Sequence, residues 1–209
     1  MSNARGMGGT GQQGGQHGGP TGAGTPVRLA ELTARIACEI GRPLVLVGMM
    51  GVGKSTIGRK LAQTLGLPFS DADDAIVEAA QMPIAEIFDQ FGEDYFRDGE
   101  RRVIARLLDG GPCVIATGGG AYVNAETAAL IDEKGITVWL DSDIDTLVER
   151  VGRNTKRPLL RGGNVREIVT RMKAEREPAY ARAQIKVMSD AGPHNATVNR
   201  ILEALEACL

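Results

Sequence analysis

Gly48-Met49-Met50-Gly51-Val52-Gly53-Lys54-Ser55 sets three glycines, a lysine and a hydroxyl at the spacing G-x-x-x-x-G-K-[S/T]. Gly48, Gly51 and Gly53 let the backbone turn sharply and bring a row of N–H groups close to a polyphosphate. Lys54 then reaches the β- and γ-phosphates, and the Ser55 hydroxyl suits a Mg²⁺ ion that the phosphates share. A turn built only for packing accounts for the glycines, but not for Lys-Ser directly after the last of them.

Other residue groups suit the same chemistry. Asp71 and Asp73 are two apart in Asp71-Ala72-Asp73-Asp74, so Asp71 can support Mg²⁺ through its water shell while Asp73 accepts a hydrogen bond from a substrate hydroxyl. Helix capping is the simpler use of such a trio, and Asp74 is read as the cap. Arg97 follows Tyr95-Phe96 with Glu100 three residues on; the guanidinium can grip a carboxylate bidentately while Glu100 holds it in place. A solvated surface pair explains the same spacing, and Arg101 and Arg102 are read as solvated. Thr117-Gly118-Gly119-Gly120 makes backbone room beside a strand end. Finally, Gly152 to Gly163 is basic, glycine-rich and without helical period. It is expected to be a mobile lid over about 152–165, with Arg157 neutralising the transferring phosphoryl group and the closed loop excluding water.

Alternating strands and helices must position these groups. Leu44 to Val47 is an apolar strand leading into the glycine loop, and Ile57, Leu61 and Leu65 at a spacing of four predict a helix from Lys54 to Leu65, stopped by Gly66. Its positive N-terminal end faces the phosphates. Leu67 to Ser70 is a second strand delivering Asp71. Ile84, Ile87, Phe88 and Phe91 mark a helix with Phe91 inward, stopped by Gly92, and a second helix follows with Tyr95, Phe96, Val103, Ile104 and Leu107 on its apolar side. Pro112 to Ala116 is a third strand. Asn124 starts the next helix and Gly135 ends it, Ile136 to Leu140 is a fourth strand, and Ser142 or Asp143 caps the helix after it. A helix from Arg166 is expected to kink or break near Pro178. Ile185 to Ser189 and a helix from Asn195 complete an α/β domain with a parallel sheet covered by helices on both faces.

The chain has 209 residues, 43% of them hydrophobic, enough for one substantial core. Residues 1–25 are mostly glycine with small polar side chains and are read as a disordered tail; 26–42 form a helix and connector, and 43–209 the catalytic domain. A net charge of -2 gives no reason to expect nucleic acid or an anionic membrane as partner. Cys38, Cys113 and Cys208 show no paired spacing, and His17 and His194 are too separated for a metal cluster. With no apolar run of membrane-spanning length and no signal-peptide core, a cytoplasmic setting is expected.

Six pieces match one family together: the loop at 48–55, Asp-Ala-Asp at 71–73, Tyr-Phe-Arg at 95–97, Gly-Gly-Gly-Ala at 118–121, Arg-Pro-Leu-Leu at 157–160 and Arg-Glu-Pro-Ala-Tyr at 176–180. From about Pro43 to Leu205 the chain resembles the shikimate kinases. The resemblance implies a P-loop three-layer sandwich with a five-stranded parallel sheet in the order 2-3-1-4-5. It also implies ATP-dependent phosphorylation of the shikimate 3-hydroxyl, with Mg²⁺; a monomer is expected. By the same resemblance ATP lies against Gly48, Gly51, Val52, Gly53, Lys54, Ser55 and Thr56, with Arg157 on its phosphates and Ser55 with Asp71 on Mg²⁺. Asp73 orients the shikimate hydroxyls as the base, Arg97 and Arg176 hold its carboxylate, and Gly119 supplies a backbone contact. Many members carry a basic or amide adenine contact near the last strand-to-helix loop; here His194 and Asn195 are the candidates.

Two rivals share the phosphate loop. A gluconate or nucleotide kinase would keep the loop and lid, but the Arg97 and Arg176 pair with three glycines suits a compact carboxylated ring better. A GTP-dependent switch would use Asp89-Gln90-Phe91-Gly92 as its D-x-x-G string, yet that string ends a helix rather than following a buried strand, and no Asn-Lys-x-Asp sequence is present.

Overall fold

A computed structural model describes residues 26–152, 164–190 and 192–208. The elements run α1 (Pro26–Glu39), β1 (Leu44–Val47), α2 (Lys54–Leu65), β2 (Phe69–Asp71), α3 (Ala72–Ala80), α4 (Ile84–Leu108) and β3 (Val114–Ala116). They continue α5 (Ala125–Lys134), β4 (Ile136–Asp141), α6 (Ile144–Gly152), α7 (Val165–Tyr180), β5 (Ile185–Met188) and α8 (His194–Glu206).

The five strands form one parallel sheet in the order β2-β3-β1-β4-β5, as the resemblance implies. Leu44 pairs with Val114 on one side and Ile136 on the other, which puts β1 at the centre. All four β1 side chains are buried, the mark of a parallel strand covered on both faces. Burying each contributes about 2 kcal/mol. At the edge, β5 alternates, with Ile185 and Val187 buried and Lys186 and Met188 exposed.

The α2 helix packs on β1, β2 and β3, and α1 and α8 lie beside it. Leu32, Ile36 and Ile40 bury the inner side of the α1 segment, as their spacing predicts. A second, smaller core of Ile76, Ile87, Phe96 and Val103 joins α3 to α4.

Several expectations are corrected. The α3 helix was not read from the sequence, because its short Ala-rich pattern offers only Ile76 as a large buried residue. Its N-cap is Asp71, not Asp74: the Asp71 carboxylate accepts the Asp73 N–H at 3.1 Å. Gly92 breaks α4 as expected, at φ 81°, which L residues with a Cβ rarely adopt. The break shifts the helical phase, so Phe91 and Tyr95 are not inward but 50% and 54% exposed, their ring centroids 4.8 Å apart. No interruption occurs at Pro178; α7 runs through it to Tyr180, because a proline in the last turn removes only one hydrogen bond there. Gly152 closes α6, Asn164 caps α7 and Val165 is its first residue, so the ends of the expected lid are helical or capping. Arg157 and the rest of 153–163 lie outside the described residues, as does the expected tail at 1–25.

Candidate active site

Gly48, Gly51 and Gly53 all take positive φ, at 133°, 82° and 101°. A Cβ on Gly48 would sit 2.3 Å from the Leu140 carbonyl oxygen and one on Gly51 2.7 Å from Val151, so β4 and α6 press on the loop from behind. No side chain caps α2, and its first turn holds no acid, which leaves its N–H groups and positive end open to an anion. Lys54 is buried, and its Nζ donates to the carbonyls of Gly48 at 2.7 Å and Met49 at 2.9 Å, so the cation lies across the loop. Val52, also expected to contact ATP, is fully buried, and its carbonyl accepts from Arg150 and from the Ser189 hydroxyl.

A cavity of about 350 Å³ opens in front of this loop, lined by Gly51, Gly53, Lys54, Ser55 and Thr56 and, across from them, Asp71, Asp73 and Gly119. Parallel pairing explains the convergence: β1, β2 and β3 end at one edge, where ligands sit in such sheets. Gly48 stands behind this cavity, at the end of β1.

Next to it, a second cavity of about 310 Å³ is lined by Arg97 and Arg176 with Glu93, Asp94 and Gly120. Arg97 donates to Glu100 at 2.6 Å and to Glu93 at 3.2 Å. Glu100 is 1% exposed, so the pair is a built element rather than a solvated one, and Glu93 is a further holder that spacing did not single out. Burial pushes the Glu100 carboxyl above its ordinary range although Arg97 pulls it down. Burial lowers the Arg97 guanidinium, and its two carboxylate partners more than restore it.

The glycine strip joins the two cavities. A Cβ on Gly118 would lie 2.8 Å from an Asp73 oxygen and 3.1 Å from Glu100; on Gly119, 3.3 Å from the Met50 nitrogen and 3.5 Å from Arg176; on Gly120, 2.5 Å from Arg97. Three consecutive glycines thus let the acid, the phosphate loop and both arginines close on one stretch of backbone. The Gly119 carbonyl accepts from Arg176 at 3.3 Å and from the Tyr180 hydroxyl.

Sequence reasoning assigned no role to Tyr180 or Arg150. Tyr180 was visible only as the last letter of a matching motif; its hydroxyl ties α7 to the glycine strip. Arg150 donates to the Val52 carbonyl at 3.1 Å and to the Ser189 hydroxyl at 3.2 Å, pinning the phosphate loop to the end of β5; no local pattern marks that long-range contact. Of the two adenine candidates, Asn195 accepts from Lys60 at 2.9 Å. His194 stacks its Cε1 3.9 Å from where a Gly53 Cβ would be, and burial with Arg150 and Lys60 nearby lowers its pKa.

The donor set fits Mg²⁺. Ser55 and Asp71 face one cavity, and among the described residues no three His, Cys, Asp or Glu form a protein-only metal cage. That suits an ion that keeps waters and takes phosphate oxygens.

The sequence profile of the shikimate kinase family matches residues 50–206. A shikimate kinase of Novosphingobium aromaticivorans is 62% identical over 179 residues, covering 84% of this chain and 93% of that protein. Among solved structures, a shikimate kinase from Acinetobacter baumannii in complex with shikimate superposes with a TM-score of 0.78 at 31% identity, covering 84% of this chain and 98% of that one. A gluconokinase from Sinorhizobium meliloti shares the fold alone, at 19% identity and a TM-score of 0.57 over 80% of this chain and 93% of its own. With a glycine-rich loop, an acid and two arginines converging on one glycine strip, this chain belongs to the shikimate kinase family, the ATP-dependent kinases of shikimate.

Proposed function

We propose that ATP lies with its phosphates on the loop from Gly48 to Thr56 and that shikimate binds across the glycine strip, its carboxylate between Arg97 and Arg176. In this reading Asp73 accepts the proton of the 3-hydroxyl as the oxygen attacks the γ-phosphorus and the bond to the β-phosphate oxygen breaks, giving ADP and shikimate 3-phosphate. The observation that carries it is the Gly118–Gly120 strip, whose successive residues lie against Asp73, the phosphate loop and both arginines.

Little covalent help is needed for phosphoryl transfer, so alignment and charge neutralisation do most of the catalysis. Lys54 draws charge from the phosphates, and Arg157, by the family pattern, adds a second cation from the lid. Ser55, with Asp71 through water, would hold Mg²⁺, which when bound neutralises charge on the β- and γ-phosphates. The Asp71 cap on the Asp73 N–H fixes where the base stands. Gly119 meets the substrate through its backbone, with its carbonyl anchored by Arg176 and Tyr180. We place the enzyme in the cytoplasm as a monomer, with 1–25 dispensable for catalysis; among the described residues no helix is long and apolar enough to cross a membrane, and all three cysteines are free.

Asp73→Asn tests the reading. Losing a general base costs typically 10²–10⁴ in rate, so kcat falls by roughly that factor while ATP still binds in equilibrium dialysis. A variant turning over near the wild-type rate would remove Asp73 from the mechanism.

A further inference from the structure

Between α3 and the second half of α4 lies another cavity of about 350 Å³, sharing no lining residue with the two just described. Its apolar wall is the small second core, with Ile76 and Phe96 prominent, and among the described residues no carboxylate lines it. Gly99 opens onto it from the middle of α4. A glycine there costs about 1 kcal/mol relative to alanine. Nothing in the packing demands it: a Cβ on Gly99 would meet no atom within 4 Å, and its φ is not positive. The missing side chain leaves the cavity open.

Arg102 and Arg106, one helical turn apart and exposed, line the same space. Arg102 is held by Asp98 at 3.0 Å. Among the described residues Arg106 has no ion-pair partner. Apolar walls with two guanidiniums on the rim complement a ligand that is flat and apolar at one end and anionic at the other.

We propose that this cavity is a regulatory site for an aromatic monocarboxylate, its ring against Ile76 and Phe96 and its carboxylate on Arg102 and Arg106. The link to catalysis is Phe96, whose ring centroid lies 5.1 Å from the Arg97 guanidinium carbon and 4.4 Å from the ring of Phe88. A ligand that reseats Phe96 moves the guanidinium above it. This coupling rests on the reading of Arg97 as a holder of shikimate; binding in the cavity does not.

The test uses the full chain and 3-phenylpropanoate, with 3-phenylpropan-1-ol as the neutral control. Calorimetry is run with shikimate saturating, so that the clamp at Arg97 and Arg176 is filled and the probe cannot simply occupy it. The expected result is saturable binding of the acid that is at least ~10-fold weaker in Arg102→Gln/Arg106→Gln and for the alcohol. Gly99→Leu, which fills the cavity, gives the same loss. In kinetics the acid shifts the wild-type shikimate KM at least about twofold, and the double variant, whose basal kcat is unchanged, shows no shift. Absent binding, or binding equal in the double variant and wild type, overturns the site. Binding with an unaltered shikimate KM overturns its regulatory role. Because calorimetry reads the cavity directly, a failure of Arg97 as substrate holder is seen separately, in the kinetics of Arg97→Ala.

Discussion

Arg97 sits between two carboxylates, Glu100 at 2.6 Å and Glu93 at 3.2 Å, and Asp73 lies close enough to Glu100 to raise it further. The guanidinium is therefore held in one orientation, which in the proposed role of substrate holder would lower the entropy lost on binding. Arg97→Ala removes a charge-assisted contact of roughly 2–3 kcal/mol, so the shikimate KM rises about 30- to 150-fold while the ATP KM changes little. Steady-state kinetics with each substrate varied decides it; equal losses for both would make Arg97 structural. Glu100 adds a pH signature. Its folded pKa is raised by burial above the ordinary value of 4.5. A raised group contributes stability that is complete below that value and is lost as pH rises through the folded pKa. Glu100→Gln should therefore flatten the fall in Tm as pH rises above about 4.5; an unchanged profile would mean that Glu100 ionises without strain. At this scale the sequence was most legible where residue type has one chemical use, as for Lys54-Ser55 after a glycine. It was least legible for Arg150 and Tyr180, whose partners, Val52 and Gly119, are distant in the chain and reached only through the fold.

Among the elements, α7 matters most, since it carries both Arg176 and Tyr180 to the glycine strip. Its seat on the sheet is Asp141 at the end of β4, 2.8 Å from Lys173 and 3.1 Å from Lys186, with Lys173 also donating to the Ser142 carbonyl. Burial raises the Asp141 carboxyl, but its lysine partners outweigh that and leave it below the usual range. A lowered group contributes stability present above its unfolded pKa and lost as pH falls through the folded one, so this seat weakens only in acid. Lys173→Met strands a largely buried carboxylate. Fully buried pairs lose ~3–5 kcal/mol; with Lys186 remaining, about 2 kcal/mol is expected, a Tm drop of roughly 4–8 °C. Thermal unfolding of the variant at pH 7 measures it, and a drop under about 1 °C would show that the ion pair does not seat α7. Strands and long periodic helices could be read from the chain because burial on a parallel sheet leaves apolar runs, and glycines at positive φ mark their ends. The α3 helix and the outward turn of Phe91 and Tyr95 could not. One rests on a local Ala-rich stretch with a single large buried residue, the other on a phase shift that Gly92 introduces between two helical halves.

For the whole molecule, the sheet edge is the organising surface: β1 brings the phosphate loop, β2 the acids and β3 the glycine strip to one line, and α4 and α7 bring Arg97 and Arg176 to it. The segment 1–25 is mostly glycine and small polar residues and is read as a tail without a catalytic role, so deleting it should leave kcat and both KM values within about twofold; a tenfold loss would give it one. In the proposed reading this surface selects a compact carboxylated ring, shikimate, as the acceptor for ATP. ADP release measured in a coupled assay, with ATP and Mg²⁺ and with shikimate, gluconate, AMP or no acceptor, tests it most directly. The expected result is release that depends on shikimate and is at background with the others; release driven equally by gluconate or AMP, or by none of them, would rule out that selectivity.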